Sequence, residues 1–502
     1  MTGPAAGPAA PTRLRDAVRT VLQHGVTVYR DRPASLRWLQ HHLDRLDEPL
    51  RLALAGKVKA GKSTLLNALV GEAIAATDAG ECTRVVTWYV DGHAPSVALH
   101  PRDGGPPRPL RINRVDGALD IDLGGVAVKR VDRLVVTWPS AGLRTTTLID
   151  TPGVASLSPD TADRADRFLT PDDAPTPADA VLYLMRHLHA GDVRFLESFH
   201  DRGVARAAPV NTVAVLSRAD EIGGGRIDAL LSARRIATRY RGDDTLRGLC
   251  QTVVAVAGLL AFTARTLRQD EYAALAAIAA LGQDELDLLL LSADRFAHPD
   301  GPAEPSVEVR RSLLDRFGMF GLRLSVAQLR GGCRDAATLA DQLVARSGLV
   351  ELREVLATQF TDRRDVLKAR SALIALERVL TVDPVPGAVP LAAEVERLLA
   401  ATHDFAELRL LSDLRWRVVK LPREQMEEAE RLLGGQGASP AQRLGLEAGA
   451  ELPELREAAL EALRTWRRRA ESPMAGRAQA NAARTVVRSC EGVLAGLRSW
   501  AG

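Results

Sequence analysis

The stretch Gly56-Lys57-Val58-Lys59-Ala60-Gly61-Lys62-Ser63 fits G-x-x-x-x-G-K-[ST], and it stands between a short apolar run at 52–55 and a helical pattern at 62–70. A strand that turns through a glycine loop into a helix is the context in which this pattern binds phosphate. Glycines let backbone N–H groups close around phosphate oxygens, and the helix N-terminus adds its positive dipole end. Lys62 is placed to reach the β- and γ-phosphates and Ser63 to ligate Mg2+, with Thr64 completing the nucleotide-binding run. Lysine usage sharpens the point. Of six lysines in the chain (Lys57, Lys59, Lys62, Lys129, Lys368 and Lys420), three fall inside this loop.

Between 51 and 258 short apolar runs recur at 52–55, 85–90, 97–100, 134–138, 145–149, 180–185, 212–216 and 253–257. Helical stretches at 62–70, 193–201 and 226–240 alternate with several of them, which implies an α/β domain with a largely parallel sheet and flanking helices. Upstream, residues 1–11 read as a disordered Gly/Pro/Ala-rich tail without the apolar core of a secretory signal. Residues 12–50 read as two helices, interrupted at Asp31 and Pro33. Beyond 258 the strand signal stops. Residues 259–297 are helical, 298–305 form a loop, and 306–502 read as long amphipathic helices broken at 331–332, 383–390, 434–440 and 472–476.

Charge narrows the function classes. The net charge is +3, and between 331 and 502 there are 25 basic against 24 acidic residues, so the helical part is no basic arm for nucleic acid. Cys82, Cys250, Cys333 and Cys490 show no paired spacing, which argues against a zinc site or disulfide scaffold and fits a reducing cytoplasm. No run of 18 apolar residues occurs, so no transmembrane helix is expected.

Three further segments arrive in the order a guanine-nucleotide switch requires. Thr83, in Gly80-Glu81-Cys82-Thr83-Arg84, follows the first helix of the domain, where its hydroxyl can complete Mg2+ coordination; a loop Thr also serves as a plain cap. Leu148-Ile149-Asp150-Thr151-Pro152-Gly153 ends an apolar run in D-x-x-G. Asp150 can hold Mg2+ through water, and the Gly153 amide can contact the γ-phosphate. Ser217-Arg218-Ala219-Asp220 is a variant of [NT]-K-x-D. The Asp220 carboxylate can accept from N1 and N2 of guanine, a donor pair adenine lacks. Arg218 can cover the base face in place of lysine, while Ser217 stands where Asn or Thr is usual. A helix cap by Asp220 is the plain alternative. Ala257 and Gly258 fall, by position, in the last base-contacting loop.

GKVKAGKSTLLNAL, CTRVVTWY, LIDTPGV and LSRADEIG, with helices before and after, resemble the bacterial dynamin-like GTPases, and among them the isoniazid-induced dynamin-like proteins of mycobacteria. The likeness extends to LLDRFGMFGLRL at 313–324 and GLVELREVL at 348–356. It implies GTP hydrolysis with Mg2+, a dynamin-type GTPase domain over 51–300, and an elongated all-α helical-bundle neck and trunk over 301–502 that packs with helices 12–50. It also implies head-to-head contact of GTPase domains, as a homodimer or with a dynamin-like paralogue, and a trunk tip that touches lipid.

The resemblance gives Lys59 a role. The residue after D-x-x-G is Val154, which cannot orient the attacking water. In this family the fourth loop position completes the transition-state site in cis, and Lys59 occupies it; a solvated loop lysine is the alternative. Lys59, Lys62, Thr83 and Gly153 form the expected catalytic set. His187 and His189 in RHLHAGD spell H-x-H, yet with no carboxylate or Cys motif nearby they fit a loop facing the dimer partner better than a metal site.

Tracing the helices gives a run outward over 348–380, about 45 Å at about 1.5 Å per residue. The chain turns at 383–390, where three prolines exclude helix, and returns over 391–433. A second hairpin leaves along 452–470 and turns at 472–476. Both turns then fall at the far end of the trunk. Val385, Val389 and Met474 could dip among acyl chains, with Trp466, Arg467, Arg468 and Arg469 at anionic headgroups. Ordinary polar turns beside a solvated charge run are the alternative. The expected function is a dynamin-like GTPase that couples nucleotide-dependent dimerisation to membrane binding and remodelling, peripheral at the inner face of the plasma membrane and without nucleic acid. A GTPase of ribosome or RNA maturation carries nearly the same switch motifs. That class usually appends a basic RNA-binding module, and neither a GxxG loop nor an aromatic-bearing sheet is evident here.

Overall fold

β1 (Leu50–Gly56) is buried along its whole length, as a strand covered on both faces must be. The structure is a computed structural model, and it describes residues 14–75, 85–115, 118–153, 177–198, 211–247, 249–415, 418–447 and 449–499. β1 lies between β8 (Thr146–Asp150) and β9 (Ala180–Met185), parallel to both. β10 (Thr212–Leu216) and β11 (Val253–Ala255) extend this parallel half. On the other side β2 (Val86–Asp91) runs antiparallel to β8, followed by β7 (Val131–Trp138), β3 (Ser96–Pro101) and β4 (Arg108–Leu110). The nine-stranded order is β11-β10-β9-β1-β8-β2-β7-β3-β4.

Each apolar run read from sequence overlaps a strand, the last of them, 253–257, ending two residues past β11. The missed elements sit at the far edge: β4, and a separate ribbon of β5 (Ile112–Val115) with β6 (Ala118–Ile121). β4 is three residues long and contains Pro109, so it carries no alternating signal. Asp116-Gly117 between β5 and β6 is the dipeptide that could have marked the hairpin.

The helical region 259–297 resolves into Gly258–Arg265, Gln269–Ala279, Gln283–Leu289 and Ala293–Phe296. The helix Val307–Arg330 packs on the first two and carries Leu313, Phe317 and Phe320 into the core beneath the sheet. The loop between is held by the buried Arg310, whose guanidinium donates to Phe296 O at 3.0 Å, His298 O at 2.6 Å and Pro305 O at 2.8 Å. Leu339 and Leu343 join the same core as Leu313, Phe317 and Phe320, so the sheet domain, the head, extends past the boundary drawn at 300.

Two helical bundles follow. Leu14–Val28 and Pro33–Arg45 pack with Arg364–Val382 and Ala388–Ala401. His403–Arg415, Arg423–Leu432, Leu452–Ala470 and Arg477–Ser499 form the second. Two features of the traced hairpins differ. The outward run is not one helix, because a π-helical turn at Ala357–Thr361 separates Leu349–Leu356 from Arg364–Val382. The two turns also belong to different bundles. Asp383 sits by the first interhelical turn, with Tyr29 Oη donating to its carbonyl at 2.9 Å and Ser35 Oγ to its carboxylate at 2.7 Å. The 472–476 turn lies by residue 420, where Gln479 Nε2 donates to Lys420 O at 2.9 Å. Nor do the prolines exclude helix throughout 383–390. A helix begins at Ala388 with Pro390 in its first turn, where a missing N–H costs nothing.

A buried charge cluster joins head to trunk. Asp179, just before β9, takes Arg45 Nη2 at 2.7 Å and the Arg51 N–H at 2.9 Å. Lys368 of the trunk helix lies 3.6 Å from the same carboxylate and donates to Arg45 O at 2.6 Å.

Candidate nucleotide site

The C-terminal ends of β1, β8 and β10 converge on one edge of the parallel half, where open α/β sheets bind ligands. The loop leaving β1 is shaped by backbone sterics. A Cβ on Gly56 would meet Leu184 O at 2.4 Å, and Gly61 adopts φ +87. Lys59 also takes a left-handed φ of 61° and is exposed. Lys62 opens the helix Lys62–Val70 and folds back to Gly56 O at 3.4 Å. Burial, eased by Asp150, lowers its pKa.

Ser63 Oγ donates to Asp150 Oδ2 at 2.8 Å. Burial raises the Asp150 pKa, Lys62 and Ser63 opposing it, and Asp150 Oδ1 is buried with no hydrogen-bond partner. A hydroxyl beside a carboxylate with a spare buried oxygen is the hard-oxygen set a magnesium ion takes, so these residues fit it. Gly153 lies against the loop, where a Cβ would come within 2.9 Å of Val58 N. Thr83 and Val154 lie outside the described residues.

At the other end, Asp220 lines a cavity of about 120 Å³ with Ala60, Thr64, Leu65, Val256 and Leu259. Its Oδ1 is buried without a partner, and burial raises its pKa. An unpartnered acceptor aimed into a small, mostly apolar slot suits a planar base that donates. Arg218, with φ 51, lines the same cavity and pairs with Glu221 at 2.5 Å. Ser217 also lines the slot and donates its hydroxyl to Met185 O at 3.2 Å. Gly258 also lines the cavity, while Ala257 donates its N–H to Ser347 O at 2.9 Å.

Three features escaped the sequence reading. Glu221 bridges Arg218 to Arg186 of the loop after β9, the second bond at 2.5 Å. Ser347 and Gly348, at the start of the helices leading to the trunk, brace the base loop. Lys57, expected at the nucleotide, pairs with the buried Asp192 at 3.1 Å. In RHLHAGD the histidines drew notice, yet the final aspartate is the buried residue. His187 and His189 are exposed, and among the described residues no group of three or more His, Cys, Asp or Glu could hold a metal.

The expected lipid-facing residues separate by burial. Val389 is 74% and Met474 92% exposed, while Val385 is packed partly into the core. Trp466 is 1% exposed, with the Arg469 guanidinium 4.4 Å from its ring centroid. Its ring faces the bundle core, away from the surface the trace gave it, because the helix Leu452–Ala470 turns that side onto Arg477–Ser499. Arg467 pairs with Glu491 and Arg469 with Glu428, both at 2.6 Å. Arg468 approaches Thr465 Oγ1, at 3.4 Å.

A phosphate loop, a D-x-x-G strand end and a base slot on a mostly parallel sheet, continued by helices, define a dynamin-type GTPase. The chain belongs to the dynamin family, whose model matches residues 52–212. It is 44% identical over 486 residues to the isoniazid-induced protein IniC of Mycobacterium tuberculosis, covering 96% of this chain and 98% of that protein. A bacterial dynamin-like protein of Nostoc punctiforme is 31% identical over 162 residues, 30% of this chain and 22% of its own. A solved structure described as an oligomerised bacterial dynamin pair aligns at a TM-score of 0.34 and 10% identity, over 98% of this chain and 76% of that one.

Proposed function

We propose that this GTPase uses GTP binding, Mg2+-dependent hydrolysis and dimerisation through its nucleotide face to remodel an anionic membrane surface, acting as a peripheral protein from the cytoplasmic side. One observation carries the coupling. The base loop is braced by Ser347 and Gly348, and the same chain continues through the π turn into the trunk helix Arg364–Val382.

Lys62 and the loop amides would hold the phosphates, with Gly153 at the γ-phosphate. Ser63 and Asp150 would hold the magnesium ion, whose charge would offset that of the phosphates. Asp220 reads the guanine edge, and Lys59 supplies a positive charge in the transition state. Lipid contact falls on the exposed apolar residues at the two turns, Val382 and Val389 at one and Val418 and Met474 at the other. No helix among the described residues is long and apolar enough to cross a membrane, in keeping with peripheral contact.

Sedimentation of the full-length protein with anionic liposomes and, in parallel, with ribosomal RNA tests the reading. Liposome binding with faster GTP turnover supports it. Binding to RNA alone would favour the ribosome-maturation class instead.

A further inference from the structure

The second residue of the phosphate loop is tied to a neighbouring loop. Lys57 Nζ lies 3.1 Å from Asp192 Oδ2, where the lysine side chain is 38% exposed and the aspartate side chain 1%. The same Oδ2 accepts the His189 N–H at 2.9 Å, and Oδ1 accepts Tyr183 Oη at 2.7 Å. Tyr183 is itself fully buried and stacked on Phe195 at 4.9 Å. The carboxylate is thus fixed by a rigid framework, and the half-exposed ammonium is the partner fastened to it. At its other end the same loop reaches the base slot, since Arg186 shares Glu221 with Arg218. Residues 186–192 touch both the phosphate and the base ends of the nucleotide site.

We propose that Asp192 is a positioning residue for GTP binding: by holding Lys57, it sets the phosphate loop in its nucleotide-ready shape before the ligand arrives. The inference rests on reading residues 56–63 as the phosphate loop. Its physical basis is pre-organisation. A loop already ordered loses less freedom on binding, and that saving appears as affinity. The pair is also asymmetric. Without the Asp192 charge, Lys57 turns into solvent; without Lys57, a buried carboxylate keeps only neutral donors, which is costly. A rival role is that Lys57 leaves Asp192 to grip the phosphates. In that case Asp192 competes with nucleotide, and the sign of its substitution reverses.

The test measures the Kd for GTP and GDP with Mg2+ on the full-length protein, by titration calorimetry with the Tm recorded alongside. The variants are Asp192→Asn, Lys57→Met, their combination, Lys57→Arg and Lys62→Ala. Asp192→Asn and Lys57→Met should each weaken binding about tenfold, the double variant no more than the worse single one, as coupled neighbours do. Lys57→Arg should restore affinity, a rescue that mere support of the fold would not produce. Should Asp192→Asn fail to fold, the contrast between the exposed Lys57→Met and Lys57→Arg decides alone. Wild-type affinity in the single variants, additive losses, or tighter binding by Asp192→Asn overturns the proposal. Lys62→Ala separates the two levels. Its loss of binding upholds the phosphate-loop reading whatever Lys57 does, and its retention of binding removes that reading and this one together.

Discussion

Lys62 and Lys59 are three residues apart and meet opposite environments. Lys62 is drawn inward, where burial lowers its pKa and Asp150 opposes the shift. Lys62→Ala should abolish GTP binding in calorimetry. Lys59 stands exposed in a left-handed turn, and the proposed function gives it a contact made only in the transition state. Lys59→Ala should lower kcat about a hundredfold with the Kd nearly unchanged, as measured by single-turnover hydrolysis. An unaltered kcat would return it to the role of a solvated lysine. Asp220→Asn should shift preference from GTP toward xanthosine triphosphate, because a carbonyl-amide pair matches a 2-oxo base. Competition assays in which ATP rivals GTP at the wild-type site would defeat the guanine assignment. His42 links the residue scale to stability. Burial first, then Arg45, His41 and Arg51, hold its pKa down to about 2. Below about pH 6.5 the unfolded chain binds a proton there that the folded chain refuses, so this stability is complete above that pH and declines as pH falls toward 2. Urea midpoints for the wild type should fall between pH 7 and 5, more steeply than for His42→Leu, which has no such proton to bind.

Among the elements, the segment 347–361 runs from the strand end at Ala255 to the trunk helix Arg364–Val382. Gly348 has φ +81, and a Cβ there would lie 2.1 Å from Ala255 O, on the strand that carries the base loop. Only glycine permits that approach. Gly348→Ala should cost about 1–3 kcal/mol by strain and displaced backbone, read as a lower Tm, and should weaken GTP binding in parallel. Undiminished affinity would uncouple the segment from the base slot. The sequence shows GLVELREVL as a helical stretch with a leading glycine. It cannot show that this glycine is pressed on a strand end almost a hundred residues away, nor that residues 357–361 widen into a π turn, since neither changes the apolar spacing.

For the whole molecule, Asp179 is the point where three segments distant in sequence meet. Asp179→Asn leaves Arg45 and Lys368 without their carboxylate and should cost about 3–5 kcal/mol in urea unfolding. Lys368→Met, which leaves Asp179 with Arg45, should cost clearly less, and equal losses would argue against the hub. At the other extreme, Val389→Asp combined with Met474→Asp should release the protein from anionic liposomes while GTP turnover without lipid persists. Liposome binding equal to the wild type would move the contact off the two turns.

What was legible in the chain was local or periodic. The phosphate loop, D-x-x-G and the apolar runs of the sheet needed only short-range chemistry: glycine where a Cβ would clash, and unbroken apolar residues where a parallel strand is covered on both faces. The helical second half followed from spacing, because burying one stripe of a helix leaves a period in the sequence. Pairing left no such trace. That Lys57 pairs with Asp192, that Trp466 turns inward, and that the 383–387 and 472–476 turns sit in separate bundles were decided only when distant segments packed. A side chain's partner is set by the shape of the whole fold, and neither spacing nor composition encodes it.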